Sequence, residues 1–337
     1  MKRQQILFTE PKIAQLIELD LLPIMEDEIL VKMEYTVISG GTERANILSM
    51  SNTSQAFPKS LGYCGVGVVE KVGSDVKTFK TADHVLVYHG CHSNYNICKE
   101  KQLTKVANNS IPSIEAAFVI IAAMGLGGVR KLEIEIGESA MVMGQGLLGI
   151  FSTQFCHLNG AYPVIAVDLN KERRDLALSL GADYALDPSK PDFINNVKKI
   201  TGGKGISACV EVTGNMHATL QALDAAAYMG RISLLGCTRV SNGSVDYYQQ
   251  VHRPGIKLIG AHNFVRPKVE SYPHHWTHQD DCHAILDLIA AKRIQVAPII
   301  SRIVSPKDAA QIYTELCEDI NFPVGTVFDW SKVSTTL

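Results

Sequence analysis

Several broad classes are excluded by what the chain lacks. Among its 337 residues no apolar run reaches the roughly 18 to 20 residues that span a bilayer, so no membrane association is expected. Lys and Arg nearly balance Asp and Glu, the formal net charge is -2, and no basic block interrupts that balance. Nucleic acid is therefore not an expected partner. The eight cysteines contain no Cys-x-x-Cys pair and read as reduced thiols, mostly of the core. The opening stretch MKRQQILFTEPKIAQLIEL has no long apolar segment and no small-residue cleavage site. No secretory leader is expected, and the cytoplasm is the expected compartment. No internal repeat or low-complexity segment is visible.

With 46% hydrophobic and 20% charged residues, the chain has the composition of a soluble globular protein, and its length suits two cores better than one. The first hundred or so residues read as short strands with turns: 28–38 alternates, and 66–72 and 85–88 are further β-rich runs. Near Gly137 the rhythm changes. Apolar strands at 139–143, 163–167, 207–212, 230–235 and 256–261 alternate with amphipathic helical stretches near 147–159, 171–180, 191–201 and 216–228. Continuous apolar strands separated by helices predict a parallel sheet covered on both faces. The tail adds a helix over about 280–292, then strands and a short helix near 306–317, and its β content points back to the first domain. The expected architecture is α/β: a doubly wound Rossmann domain over 121–262, inserted into a discontinuous β-rich domain of 1–120 and 263–337.

The strongest local signal is GQGLLG at 144–149. A G-x-G-x-x-G string alone is weak, but this one follows an apolar strand and opens an amphipathic helix. A second strand then ends in Asp168, roughly twenty residues on, which completes the dinucleotide fingerprint. Gly144 permits the tight turn, Gly146 lets the backbone approach a pyrophosphate, and Gly149 lets helix and strand pack closely. The phosphates would sit at the helix N-terminus, against the backbone of Gln145, Leu147 and Leu148, where free N–H groups favour anions. Asp168 would accept from the adenosine ribose and repel a 2′-phosphate, so NAD is the expected cofactor. Lys171, Arg173 and Arg174 follow closely and could weaken that preference, Arg173 lying along the adenosine. Ligands bind outside the carboxyl ends of such strands, which brings Thr213, Gly214, Leu235 and Gly236 to the nicotinamide ribose. His262 and Asn263 follow the last strand and either bond the carboxamide or substrate or form a plain turn.

The order of motifs resembles the medium-chain dehydrogenase/reductase superfamily, the zinc alcohol dehydrogenases and their relatives. The resemblance rests on SGGTER at 39–44, LGYCGVGVVEKVG at 61–73, DHVLV at 83–87, GQGLLG, VDLNKER at 167–173, EVTG at 211–214 and LLG at 234–236. It implies that the β-rich domain is GroES-like and that the protein is a homodimer or homotetramer acting on a small molecule. Zinc-dependent members carry Cys-Gly-Thr-Asp where this chain has Gly40-Gly41-Thr42-Glu43, and Gly-His-Glu where it has Gly62-Tyr63-Cys64. Their third ligand falls near Ile120, and their structural-zinc lobe is replaced by YHGCHSNYNIC. Zinc wants three or four converging N or S ligands, and only Cys64 offers one, so no metal is expected. GTER and LGYCGVG look most like the zinc-lacking branch that includes bacteriochlorophyllide dehydrogenase-like proteins.

The resemblance places three side chains where the metal and its proton relay would be. Tyr63 stands for the ligand His and either donates its phenolic proton to the substrate oxygen or fills the vacated volume. Thr42 either keeps the relay hydroxyl or caps a turn. His89, after the DHVLV strand, is an acid/base candidate or a loop residue, with His92 competing for the same role. Glu43 and Arg44 brace the loop or, for Arg44, meet an anionic substrate. The run HHWTH, with His274, His275, Trp276 and His278, followed by Cys282 and His283, shapes a substrate pocket, forms a surface turn or supplies an atypical metal site. The expected activity is NAD-dependent interconversion of a secondary alcohol and a ketone on a polyol, sugar or cyclitol derivative. Alternatives are an ene-reductase, an epimerase or lyase that holds NAD tightly, and a non-catalytic NAD(H) sensor.

Overall fold

The computed structural model describes residues 2–108 and 110–333. Contacts divide the chain into two compact units: the residues up to Ile121 together with those from Cys282 on, and Ala122–Asp281. The first begins with an antiparallel hairpin, β1 (Lys2–Glu10) and β2 (Ile13–Asp20). Then come β3 (Ile29–Val37), α1 (Gly40–Ile47) and the short β4 (Lys59–Ser60), which pairs with β1. β5 (Cys64–Val72), β6 (His84–Tyr88), β7 (Tyr95–Cys98) and β8 (Leu103–Lys105) follow. After α2 (Ser113–Ala116), the boundary between units falls inside α3 (Val119–Arg130).

The second unit alternates strand and helix. Its elements are β9 (Ala140–Met143), α4 (Leu147–Leu158), β10 (Val164–Val167), α5 (Lys171–Ser179), β11 (Tyr184–Leu186) and α6 (Phe193–Ile200). They continue as β12 (Ile206–Glu211), α7 (Met216–Ala225), β13 (Ala226–Leu234) and β14 (Lys257–Gly260). All pairs are parallel, in the order β11-β10-β9-β12-β13-β14. β9 and β10 are buried along their whole length, which explains their uninterrupted apolar sequences. The winding reverses between β9 and β12, and doubly wound sheets bind ligands at such a switch point.

The chain re-enters the first unit within α8 (His278–Ala290) and adds β15 (Ile300–Val304), α9 (Ala309–Glu318) and β16 (Gly325–Asp329). β16 pairs antiparallel with β3, completing a sheet of order β15-β16-β3-β5-β6-β8, with β7 also on β3. The tail thus returns to the β-rich unit as its composition suggested. Two details differ from expectation. α7 stops at Ala225 rather than 228, because the chain turns straight into β13.

The second difference is the segment 263–281, which groups with the nucleotide unit instead of the β-rich one. Its anchor is Asp281, which is 1% exposed at its side chain and pairs with Arg266 Nη1 at 3.0 Å and Arg130 Nε at 2.8 Å. Arg266 also donates through Nη2 to the Ala123 carbonyl at 3.1 Å. Removing one member of a buried ion cluster leaves uncompensated charge. Asp281→Ala is expected to cost about 3–5 kcal/mol in urea-unfolding stability.

Candidate functional site

In the nucleotide unit, helix α4 starts without a side-chain cap, because its N-cap is Gly146. The first N–H groups of a helix have no partner inside it, so this terminus is open to an anion. Gly144 has φ +94°, which sets the turn out of β9. A Cβ on Gly149 would overlap the Gly144 carbonyl oxygen, whereas a Cβ on Gly146 would meet nothing within 4 Å. Gly149 therefore serves packing, and Gly146 leaves open space in front of the helix, a cradle suited to a pyrophosphate.

Asp168, just past the end of β10, fixes this loop. Its Oδ2 accepts from the Gln145 N–H at 2.7 Å and its Oδ1 from the Asn170 N–H at 2.8 Å. The Gln145 side chain turns away from any ligand. It is buried, donating to the Val142 carbonyl at 3.0 Å and accepting from Thr153 Oγ1 at 2.9 Å. Of the cations that follow, Lys171 pairs with Asp175 at 2.6 Å, and Arg174 donates to the carbonyls of Asp168 and Leu169 at 2.7 and 2.9 Å. The backbone N–H of Arg173 is spent on the side chain of Asn170, the N-cap of α5.

Thr213, Gly214, Leu235 and Gly236 are brought together by Glu211, a residue that sequence reasoning passed over. Its carboxylate accepts from the N–H groups of Thr213 (2.8 Å) and Gly214 (3.2 Å) and from the Thr213 hydroxyl. Its carbonyl accepts from Leu235 and Gly236 N–H at 2.9 and 2.8 Å. Burial pushes the Glu211 carboxyl up. Thr213 Cγ2 also stands against Gly144, which joins this corner to the glycine loop. His262 and Asn263 sit apart, beside Arg266. His262 Nδ1 accepts from the Phe264 N–H at 3.2 Å, and the Asn263 carbonyl accepts from Arg266 Nε at 3.1 Å.

In the β-rich unit the centre is a polar network. The Tyr63 hydroxyl donates to Ser39 Oγ at 2.7 Å and lies within hydrogen-bonding reach of Thr42. Ser39 donates its N–H to Glu43 Oε1 at 2.8 Å. Glu43 Oε2 accepts from the Tyr313 hydroxyl at 2.6 Å and contacts His92 Nε2 at 3.1 Å, while His92 Nδ1 contacts Thr36 Oγ1 at 2.7 Å. Trp330 Nε1 donates to the same Thr36 oxygen at 3.0 Å. With the indole donating to Thr36, the simplest filling has Thr36 donate to His92 and His92 donate to Glu43.

This burial corrects one expectation: His92 is 0% exposed, so it is packed inside the fold and does not compete with His89 at a substrate surface. Glu43, 1% exposed, is packed inside as well, in the bracing position. Arg44 is half-buried in α1. Thr42 is exposed in the first turn of that helix, its carbonyl accepting from Asn46 Nδ2 at 2.9 Å. His89, at φ +58°, donates its backbone N–H to the Tyr63 carbonyl at 2.9 Å, and its ring lies 3.8 Å from that of Tyr88. Burial lowers the His89 pKa, keeping the ring neutral near pH 7. Burial raises that of Tyr63 strongly, holding the phenol protonated.

The positions that resemble zinc sites hold residues that do not fit a zinc ion. Gly40 and Ile120 offer no donor, and Tyr63 is engaged with Ser39. The buried Cys64 thiol donates to the Val37 carbonyl at 3.5 Å and is held protonated by burial and by Glu43. Among the described residues no three His, Cys, Asp or Glu side chains converge, the 274–283 run included. His275 pairs with Tyr272 through their backbones, and Trp276 lies under the Arg130 guanidinium at 3.9 Å.

The glycines give a clean test of the cradle. Gly146→Ala is expected to leave thermal stability unchanged and weaken NADH binding about tenfold or more, whereas Gly149→Ala lowers both. Thermal melting and fluorescence titration with NADH read the two effects separately.

Comparison with known proteins follows the same two-part division. Residues 25–132 match the alcohol dehydrogenase GroES-like domain family and residues 148–277 the zinc-binding dehydrogenase family. L-threonine 3-dehydrogenase of Thermococcus kodakarensis is 29% identical over 269 residues, 70% of this chain and 75% of that protein. D-guloside 3-dehydrogenase of Escherichia coli is 23% identical over 342 residues, 93% of this chain and 95% of that protein. A solved Sinorhizobium meliloti structure with bound NADP shares the fold, with a TM-score of 0.83 at 20% identity over 98% of this chain and 100% of that one. With a GroES-like unit, a parallel nucleotide unit and both family matches in register with them, the chain belongs to the alcohol dehydrogenase-like medium-chain dehydrogenase/reductase superfamily.

Proposed function

We propose that the protein is a zinc-independent, NAD-preferring dehydrogenase that interconverts a secondary alcohol and a ketone on a polyol, sugar or cyclitol derivative. The observation that carries this reading is the Tyr63–Ser39 hydroxyl pair beside Thr42, standing where relatives with zinc would place a ligand. The guloside and threonine dehydrogenases among the relatives both take their names from oxidation at a secondary carbon, which supports the substrate class.

A bound nicotinamide supplies the hydride acceptor or donor. The chain's own residues then have one task, to manage the proton on the substrate oxygen. In ketone reduction charge builds on that oxygen, and a hydrogen-bond donor aimed at it substitutes for a Lewis acid. Burial raises the Tyr63 pKa and keeps its proton on. To pass that proton the phenol needs its pKa brought down, which the positive charge of the NAD+ formed beside it would favour. As that proton passes to the new alkoxide, the Ser39 hydroxyl can restore it, and half-buried Ser39 can exchange with water directly or through Thr42. Alcohol oxidation runs the same path in reverse, the proton leaving through Ser39. His89, neutral by burial, is the candidate acceptor on that route.

The preference for NAD rests on Asp168, whose carboxylate would repel a 2′-phosphate. Of the nearby cations that could offset it, Lys171 is engaged with Asp175 and Arg174 with backbone carbonyls, while Arg173 is the one expected to lie along the adenosine. The S. meliloti relative holds NADP, so the test is direct. We expect kcat/KM to favour NADH over NADPH, and Asp168→Ser to narrow the ratio about tenfold or more.

Tyr63→Phe should lower kcat by about 10²- to 10⁴-fold, with the Kd for NADH unchanged. An unchanged kcat would remove Tyr63 from the mechanism. For alcohol oxidation, kcat/KM should fall as pH drops through an apparent pKa below the ordinary histidine value, since only neutral His89 accepts a proton. That acid limb should vanish in His89→Asn.

A further inference from the structure

A buried charge ordinarily has a counter-charge beside it, as Asp281 has Arg130 and Arg266. Glu211 has none. It is 1% exposed, and among the described residues no Lys, Arg or His forms an ion pair with it. Its donors, the N–H groups of Thr213 and Gly214 and the Thr213 hydroxyl, are all neutral. Burial raises the carboxyl's pKa, and these hydrogen bonds hold the rise in check. The fold thus keeps a buried negative charge that no part of the proposed proton path uses.

Position gives that charge a use. β12 pairs with β9 so that Glu211 stands opposite Met143, the last residue before the glycine loop. The next two residues, Val212 and Thr213, each set a Cγ2 methyl against Gly144. On the other side the ends of β12 and β13 close so tightly that a Cβ on Gly236 would collide with the Gly214 nitrogen. The carboxylate accepts from residues past the strand end, so it lies at the carboxyl end of the sheet. Doubly wound folds hold their ligand there. The stretches 212–214 and 235–238 around it carry no other formal charge.

The two redox states of a nicotinamide cofactor differ by one charge: the oxidised ring is a cation and the reduced ring is neutral. We propose that Glu211 discriminates between them, its buried carboxylate attracting the pyridinium of NAD+ and adding no such attraction for NADH. The ring then supplies the counter-charge that the protein leaves out. Hydride transfer to the ring cancels the attraction, so in alcohol oxidation the charge favours exchange of spent NADH for fresh NAD+. A unit charge acting across about 10 Å at an effective dielectric of about 20 changes a binding constant by about tenfold. The inference rests on the nicotinamide-dependent reading above, and it gives a cofactor-binding role to a residue which that reading does not use.

The test is isothermal titration calorimetry of the full chain with NAD+, NADH and ADP-ribose at about pH 8. Glu211→Gln and Glu211→Met remove the charge, and Glu211→Asp keeps it. Both neutral variants should weaken NAD+ binding about tenfold more than NADH binding, with ADP-ribose, which lacks the ring, following NADH. Glu211→Asp should keep the wild-type ratio of the two dissociation constants, whatever it does to each. Two neutral variants keep the test open if one fails to fold, which thermal melting reads directly. Equal weakening of NAD+ and NADH would mark Glu211 as a backbone brace only and overturn the proposal. So would a ratio in Glu211→Asp that moves as far as in the neutral variants. A wild-type chain that binds neither nucleotide would instead overturn the nicotinamide reading, and this inference with it.

Discussion

The carboxylate of Glu43 is buried, and a buried carboxylate is costly unless it is surrounded by donors. Three groups meet that demand: the Ser39 N–H, the Tyr313 hydroxyl and His92 Nε2. They come from the end of β3, from α9 and from the loop after β6, three parts of the chain far apart in sequence. Satisfying one carboxylate therefore fixes where α1 begins, how the tail helix docks and where the 89–92 loop turns. Thr36 and Trp330 extend the same constraint to β3 and the end of the tail. Losing Glu43 would strand several buried donors, each costing about 1–3 kcal/mol. The Ser39 hydroxyl that receives Tyr63 is held by this arrangement, so the candidate chemistry depends on a group that never touches substrate.

The glycine cradle depends on a second carboxylate used in the same way. Asp168 draws the Gln145 N–H toward itself, and Glu211 gathers Thr213, Gly214 and, through its carbonyl, Leu235 and Gly236. In both units short-range acceptors set backbone positions, and the open groups, the N–H cluster before α4 and the hydroxyls at Tyr63, Ser39 and Thr42, are what remains available for ligands. This division explains why Gln145, Glu43 and His92 look functional in sequence and yet face inward.

The nucleotide unit was legible because its signals are local. Apolar strands, amphipathic helices and GQGLLG each act within a few residues, and the close contact at Gly149 is implied by the fingerprint itself. The partners of Glu43 were not legible, since His92 and Tyr313 reach it only through folding. α3 was obscured for another reason: MGLGGVR carries three glycines, which disfavour a helix unless packing demands them. Gly127 is demanded by Arg266 and Gly128 by Leu235, neither visible from the helix alone. The grouping of 263–281 with the nucleotide unit likewise rests on Asp281, whose two arginines lie 15 and 151 residues away.

Gly40, Tyr63 and Ile120 stand where the resemblance puts zinc ligands, and the proposed mechanism stands or falls on hydroxyl groups taking the place of the metal there. The most direct measurement is the zinc content of the purified, catalytically active protein, taken with its rate after exposure to a strong chelator. The account predicts far less than one zinc per chain and an unchanged rate. One zinc per chain, with activity lost on its removal and restored on its return, would contradict it.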